Sequence, residues 1–176
     1  MKAYKVDLYQ LNSYKPLIVS SLLAKAAFDL RDVYSPDEHL WKMATELDLK
    51  RIGLEPKGRE IEIMENISMK YQLNTLRAIA VNVSKYRRKL KRLNQLYLEG
   101  DLDKLYRSTM KGTGGMKEVL IYKRNVEMAT NFVANAKQQP IFAAVGAAHL
   151  PGKKGLLTLM KKEGFQLKTL STNLPK

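Results

Sequence analysis

Cysteine is absent from the 176 residues. That excludes disulfides, thiolate metal sites and a cysteine nucleophile, and leaves the compartment undecided. Histidine occurs only twice, at His39 and His149, so any imidazole chemistry rests on one of these two. No apolar run is long enough to span a bilayer, and the amino terminus lacks the apolar core of a signal peptide. The expectation is a chain without a transmembrane segment, any export signal lying outside these residues. Acidic residues are scarce as well, 17 Asp and Glu against 31 Lys and Arg, for a formal charge of +14. What is present, 45% hydrophobic and 27% charged residues, suits one soluble domain, 1–176, with a sizeable core.

The positive excess points to nucleic acid or an anionic surface as one class of partner. Its densest cluster is Lys85 to Arg92, KYRRKLKR, with six basic residues in eight. Leu76, Ile79, Val83, Tyr86, Leu90, Leu93 and Tyr97 recur through the same region at steps of three and four, which predicts a long helix whose apolar stripe packs and whose cations face water. No helix-turn-helix, RNP-like aromatic pattern or zinc-knuckle spacing accompanies it, so a solvated helix face is favoured over nucleic-acid binding.

Most of the chain reads as helix. Pro16 to Leu30 is apolar on most faces and predicts a buried helix. Ser35-Pro36-Asp37-Glu38 supplies a cap and a proline at the first helical position, for a helix to about Leu47. Lys57 to Glu65 is amphipathic through Ile61 and Met64. The long helix runs from about Asn66 to Leu98 and is ended by Gly100, after which Asp101 caps a short successor. Lys111 to Gly115 reads as a flexible link that matches no phosphate loop. Met116 to Lys137 is a further helix, packed through Val119, Tyr122, Val126, Ala129, Val133 and Ala136.

Three short strands are expected among these helices. Arg51 to Glu55 is stopped by Pro56, which places Glu55 at the strand's carboxyl end. Ile141 to Val145 is an apolar run that reads as a strand buried on both faces. Gly146 then turns the backbone, His149 follows, and Pro151 with Gly152 opens a helix through Leu156, Leu157 and Met160 that Gly164 closes. Phe165 to Leu170 is the third strand. The expected fold class is α/β with helices dominating, a small sheet of about three strands flanked by about seven helices. So thin a sheet suits half of a larger one and would expose edges and apolar surface, leading to self-association.

Gly146-x-x-His149 followed by Leu-Pro-Gly, a helix and a short strand resembles the carboxyl-terminal half of the TraB/GumN family, which includes the TIKI-type metal-dependent proteases. Three further stretches agree in order. Arg51 to Glu55 (RIGLE) is similar to the family's Gly-Leu-Glu strand, carrying Gly53. Tyr97 to Leu105 (YLEGDLDKL) resembles its Gly-Asp-Leu hinge, and Tyr122 to Asn125 (YKRN) resembles the Arg-Asn that opens the helix before the GxxH strand. The similarity runs from about Leu11 to Leu170. Family members carry an earlier portion with a first GxxH motif, which this chain lacks; His39, in the exposed-looking PDEHLWKMA, is a poor substitute. The resemblance therefore implies a piece of a larger two-part fold or a short relative lacking half the site. It also implies an exported or membrane-anchored parent.

Each candidate residue has two readings. His149 is a metal ligand or general base, or a structural histidine capping the next helix; spacing alone favours the second, and the resemblance reverses that. Glu55 completes a metal site or accepts a proton, or is a solvated carboxylate before Pro56. Neighbouring strands of one sheet would bring it to the same edge as His149. Arg124 holds a substrate carboxylate or orients Glu55, or pairs with Glu127 along its own helix. Asn125 shares the site or faces solvent. A helix mouth near Gly152, with Lys153 and Lys154 added, would attract a substrate carboxylate or oxyanion, unless both lysines point into water.

Three functions follow. The resemblance implies a metal-dependent hydrolase of peptide bonds in the parent, a divalent ion (Mn, Co or Zn) being held by His149, Glu55 and the absent histidine. This chain alone would bind metal weakly or not at all and be inactive, unless joined by its missing portion or a second copy. The alternatives are a non-enzymatic module that sequesters a peptide, and a basic binder of nucleic acid or an anionic surface through Lys85 to Arg92.

Overall fold

A computed structural model describes residues 9–27 and 35–170. Among these residues the protein is helical. Eight α-helices follow in order: α1 (Pro16–Ala27), α2 (Pro36–Glu46), α3 (Arg59–Asn66), α4 (Met69–Val81), α5 (Val83–Leu98), α6 (Leu102–Gly112), α7 (Lys123–Ala136) and α8 (Leu156–Lys162). The predicted end of the first helix at Leu30 lies outside the described residues.

Caps set several of these boundaries. Ser35 accepts from the Glu38 amide at 3.1 Å while Glu38 accepts from the Ser35 amide at 3.0 Å, a reciprocal capping box that starts α2 where the sequence placed it. Asp101 accepts from the Lys104 amide at 2.9 Å and starts α6. The single long helix expected over 66–98 is two. Asn82 leaves helical geometry (φ −139°, ψ 75°), and its side chain caps α5 by accepting from the Lys85 amide at 2.8 Å. An apolar stripe that continues in phase across residues 76–97 does not register this break, because one residue out of helix leaves the pattern nearly intact. The expected link at Lys111 to Gly115 is the end of α6 and a tight turn, in which the Tyr71 hydroxyl donates to the Gly112 carbonyl at 3.3 Å.

The core is in two parts. Val19 and Leu23 of α1 meet Ile79 of α4, with Leu11, Leu76, Val83 and Tyr86 closing around them. Leu23 is fully buried, which contributes about 1.5–3 kcal/mol of transfer free energy. The second part joins α7 and α8 through Met128, Ala129, Val133, Leu156 and Met160, covered by Leu54, Phe132, Val145, Leu150, Leu159 and Phe165.

The expected α/β class is wrong: no strand occurs among the described residues, so there is no sheet. The three segments read as strands, 51–55, 141–145 and 165–170, are extended or bent chain lying singly on helices. Leu54, Val145 and Phe165 each anchor their segment on the α7–α8 core. The α7 residue Asn131 donates its side-chain amide to the Leu54 carbonyl at 2.8 Å, the role a neighbouring strand would have played. Nor is 141–145 buried on both faces: exposure alternates, and Phe142 is 82% exposed. Apolar character and β-branching mark a segment that can extend. They carry no information on whether a partner strand lies alongside.

Candidate functional site

The site is assembled on the first turn of α7. A π-helical turn, Glu118–Tyr122, runs directly into that helix. Lys123 opens the helix and Arg124 and Asn125 follow, about 100° apart and so reaching different neighbours.

Arg124 reaches the bend at residues 54–55. Its Nε donates to Glu55 Oε1 at 2.8 Å and its Nη2 to Oε2 at 2.6 Å, a parallel two-point pair, while Nη1 donates to the Leu120 carbonyl at 3.3 Å. The side chains are 25% and 18% exposed. Gly53 permits the bend, since a Cβ there would lie 2.7 Å from the Glu55 carbonyl oxygen. The Arg124 hydrogen bonds hold the Glu55 carboxyl below its ordinary range against an opposing effect of burial. Glu127, offered as the alternative partner of Arg124, instead takes Arg59 of α3 at 2.6 Å. Three of its five N–H groups are thus directed at Glu55 and Leu120, and Arg124 orients the carboxylate. Glu55→Gln is expected to cost about 1–2 kcal/mol, discounted for partial exposure. Denaturant unfolding of Glu55→Gln, Arg124→Gln and the double variant measures this. Strictly additive losses would mean that the pair is not coupled.

Asn125 faces the other way and is fully buried. Its Nδ2 donates to the carbonyls of Lys154 at 2.7 Å and His149 at 3.3 Å. Its Oδ1 lies 2.6 Å from His149 Nδ1. Because the amide hydrogens are already directed at two carbonyls, Oδ1 is the acceptor, and the proton of the neutral imidazole must sit on Nδ1. Nε2 then carries the lone pair and takes no hydrogen bond among the described residues. A fixed tautomer with an open Nε2 is what a metal ligand or a general base requires. Burial first, and the Arg124 cation second, push the His149 pKa below its ordinary value, with Glu55 opposing. The imidazole is therefore neutral at pH 7.

The GxxH spacing is itself a hydrogen-bonded turn: the His149 amide donates to the Gly146 carbonyl at 2.8 Å. Gly146 adjoins the ring, as a Cβ there would stand 3.4 Å from His149 Cδ2, about van der Waals contact. Beyond the histidine the expectation of a helix opening at Gly152 fails. Residues 151–155 form turns, and α8 starts at Leu156 with Gly155 as its cap. The amino-terminal end of α8 therefore lies at Gly155 and Leu156, and the Leu157 amide in its first turn is already taken by the Leu150 carbonyl at 3.1 Å. Lys154 extends to Glu118 at 3.2 Å and over the Tyr122 ring at 4.8 Å, and Lys153 is exposed. Gly152 has φ +95° and lies against Tyr106, whose hydroxyl is 3.2 Å from that of Tyr122. Burial and this partner push the Tyr106 hydroxyl up to about 12. No sequence motif marked Tyr106, Glu118 or Gly155 as parts of this neighbourhood.

Glu55 with Arg124 and His149 with Asn125 thus form two pairs, joined through neighbouring positions of α7. Consecutive residues of α7 hold two separate loops, where a sheet edge was to have gathered them. Among the described residues no group of three His, Asp or Glu side chains is placed to hold a metal ion. His39 is exposed on α2, and no described helix is long and apolar enough to cross a membrane. No curated protein and no solved structure is similar enough to match. A model of the TraB/PrgY/gumN family matches residues 1–169, and the chain belongs to that family.

Proposed function

We propose that this chain carries the imidazole part of a peptide-hydrolase site of the kind found in TIKI-related proteases, incomplete in its own donor set. The observation that supports this most is the Asn125 clamp, which spends a fully buried amide on fixing one tautomer of His149 and leaves Nε2 open. A structural histidine this buried would also need one ring nitrogen paired, so what separates the two readings is the Nε2 left unpartnered among the described residues. Glu55, held by Arg124, is the carboxylate whose charge reaches the ring, opposing the effect of burial on His149. The residues present do not suffice for a resident metal. One open imidazole nitrogen and one carboxylate already accepting two guanidinium hydrogen bonds fall short of the three protein ligands that such sites use. Mn, Co or Zn would therefore bind weakly, with turnover awaiting further donors from elsewhere.

The test is NMR of the His149 ring. Co(II) should perturb its signals only at concentrations far above those of the protein, and His149→Ala should remove the effect. Stoichiometric metal that survives gel filtration would show the donor set to be complete. Metal that leaves the His149 ring untouched would end the ligand role. The same spectra give the titration, expected at a pH below the ordinary 6.5. Because the folded state holds this proton less tightly than the unfolded chain, the associated stability is full above 6.5 and is lost as pH falls through the folded value. Glu55 adds a second loss below its ordinary 4.5, of the same sign.

A second reading, a peptide-sequestering module without catalysis, is favoured by the shortfall in metal donors. Peptide binding that persists in chelator and in His149→Ala would select it.

A further inference from the structure

Between Glu65 and Glu99 the chain has no acidic residue for 33 positions, yet eight basic ones. These residues build α4 and α5. On α5, Lys85, Arg88, Lys89 and Arg92 follow the i, i+3, i+4, i+7 spacing of a single helix face, and all are exposed, with Lys91 at their flank. Of these five, only Arg92 meets an acid among the described residues, Glu99 at 3.8 Å. Tyr86, Leu90 and Leu93, roughly a third of the way round the helix, are half-buried, and the cationic face itself turns inward one turn later at the buried Leu96, so the helix is held to the body there with Lys85, Arg88, Lys89 and Arg92 exposed.

On α4 the outward face is different in kind. Met69, Leu73 and Val81 stand at four-residue steps with Arg77 between the last two, and they are 53%, 51% and 80% exposed. Large apolar side chains in line with a cation, on a segment without acids, have nothing to gain from water.

We propose that the α4–α5 arm docks on a bilayer surface bearing anionic phospholipid. The phospholipid charge attracts the cations of α5, and the apolar stripe of α4 enters the headgroup boundary. The choice between an anionic bilayer and nucleic acid rests on that stripe. A phosphate backbone would match the cations equally well, but it offers no apolar phase to receive Met69, Leu73 and Val81. Nor does the arm show the exposed aromatic series on which bases stack, Tyr97 being its one strongly exposed ring.

Co-sedimentation of the whole protein with mixed phosphatidylglycerol and phosphatidylcholine vesicles tests this. Binding is expected to the mixed vesicles and not to pure phosphatidylcholine, and to weaken as salt rises. Each cation removed should cost about fivefold, so Lys85→Gln, Arg88→Gln and Lys89→Gln combined should weaken binding on the order of a hundredfold. Leu73→Gln with Val81→Gln should lower the fraction that resists salt. All five positions are exposed, and the circular dichroism of each variant should match the parent's. Equal binding to both vesicle types, binding unchanged in the triple variant, or binding to duplex or single-stranded nucleic acid without binding to the mixed vesicles would each overturn the proposal.

Discussion

Asn125→Ala is expected to destabilise the protein by about 2–4 kcal/mol, because it leaves a buried carbonyl and an imidazole N–H without partners at about 1–3 kcal/mol each, and a part-buried carbonyl at less. Those groups are the Lys154 and His149 carbonyls and His149 Nδ1. Two controls separate the causes. Asn125→Leu keeps the branched outline, removes every hydrogen bond and sets larger methyls against atoms now 2.6–2.7 Å away, so it should lose at least as much as alanine. Asn125→Asp keeps an acceptor for Nδ1–H but turns acceptors toward both carbonyls. It should also raise the pKa of His149, as a carboxylate beside the ring favours the imidazolium. Denaturant unfolding gives the stabilities, and nitrogen chemical shifts of the ring give the tautomer. If Asn125→Ala unfolded within about 1 kcal/mol of the parent, the change would be no larger than an average substitution, and the clamp would have to be discarded.

Much of the site was legible in the sequence because its parts are local. The GxxH spacing is the length of one i to i+3 hydrogen-bonded turn. Arg124 and Asn125 must diverge on a helix whatever surrounds them, whereas the bend that Gly53 allows beside the Glu55 carbonyl lies in a segment whose sequence reads as a strand. Helix starts at Ser35 and Asp101 were readable for the same reason, as each cap is completed within three residues. What could not be read is pairing. Ile141 to Val145 has the composition of a strand, but a strand is defined by its neighbour, and here the neighbours are helices. The break at Asn82 was hidden differently, an asparagine cap competing with an apolar stripe that looked unbroken. The tautomer of His149 depends on where the Asn125 amide hydrogens go, and no one-dimensional pattern holds that information.

The loop after the histidine supplies the second large effect, Gly155→Ala, expected to destabilise the protein by about 4–5 kcal/mol or to prevent folding, at the extreme for one substitution. Gly155 has ordinary dihedral angles (φ −80°, ψ 156°), so strain in φ is not the cause. A Cβ there would run into the backbone carbonyl oxygens of Pro151 and Leu150, and no rotamer change can relieve contact with main chain. Nor can the loop easily move. The Gly155 amide donates to the Gly152 carbonyl at 3.0 Å, the Leu157 amide to the Leu150 carbonyl at 3.1 Å, and Asn125 grips the intervening Lys154. Relieving the clash would therefore pull the Lys154 carbonyl off Asn125 and free the amide that fixes His149. If any folded protein is recovered, its ring nitrogen signals should show a mixture of tautomers. Lys153→Ala, two residues away and exposed, should change stability by no more than about 0.5 kcal/mol. A Gly155→Ala protein as stable as Lys153→Ala would mean that the turn over residues 150–155 adapts freely. The imidazole would then be held by Asn125 alone, with no contribution from the rigidity of the loop.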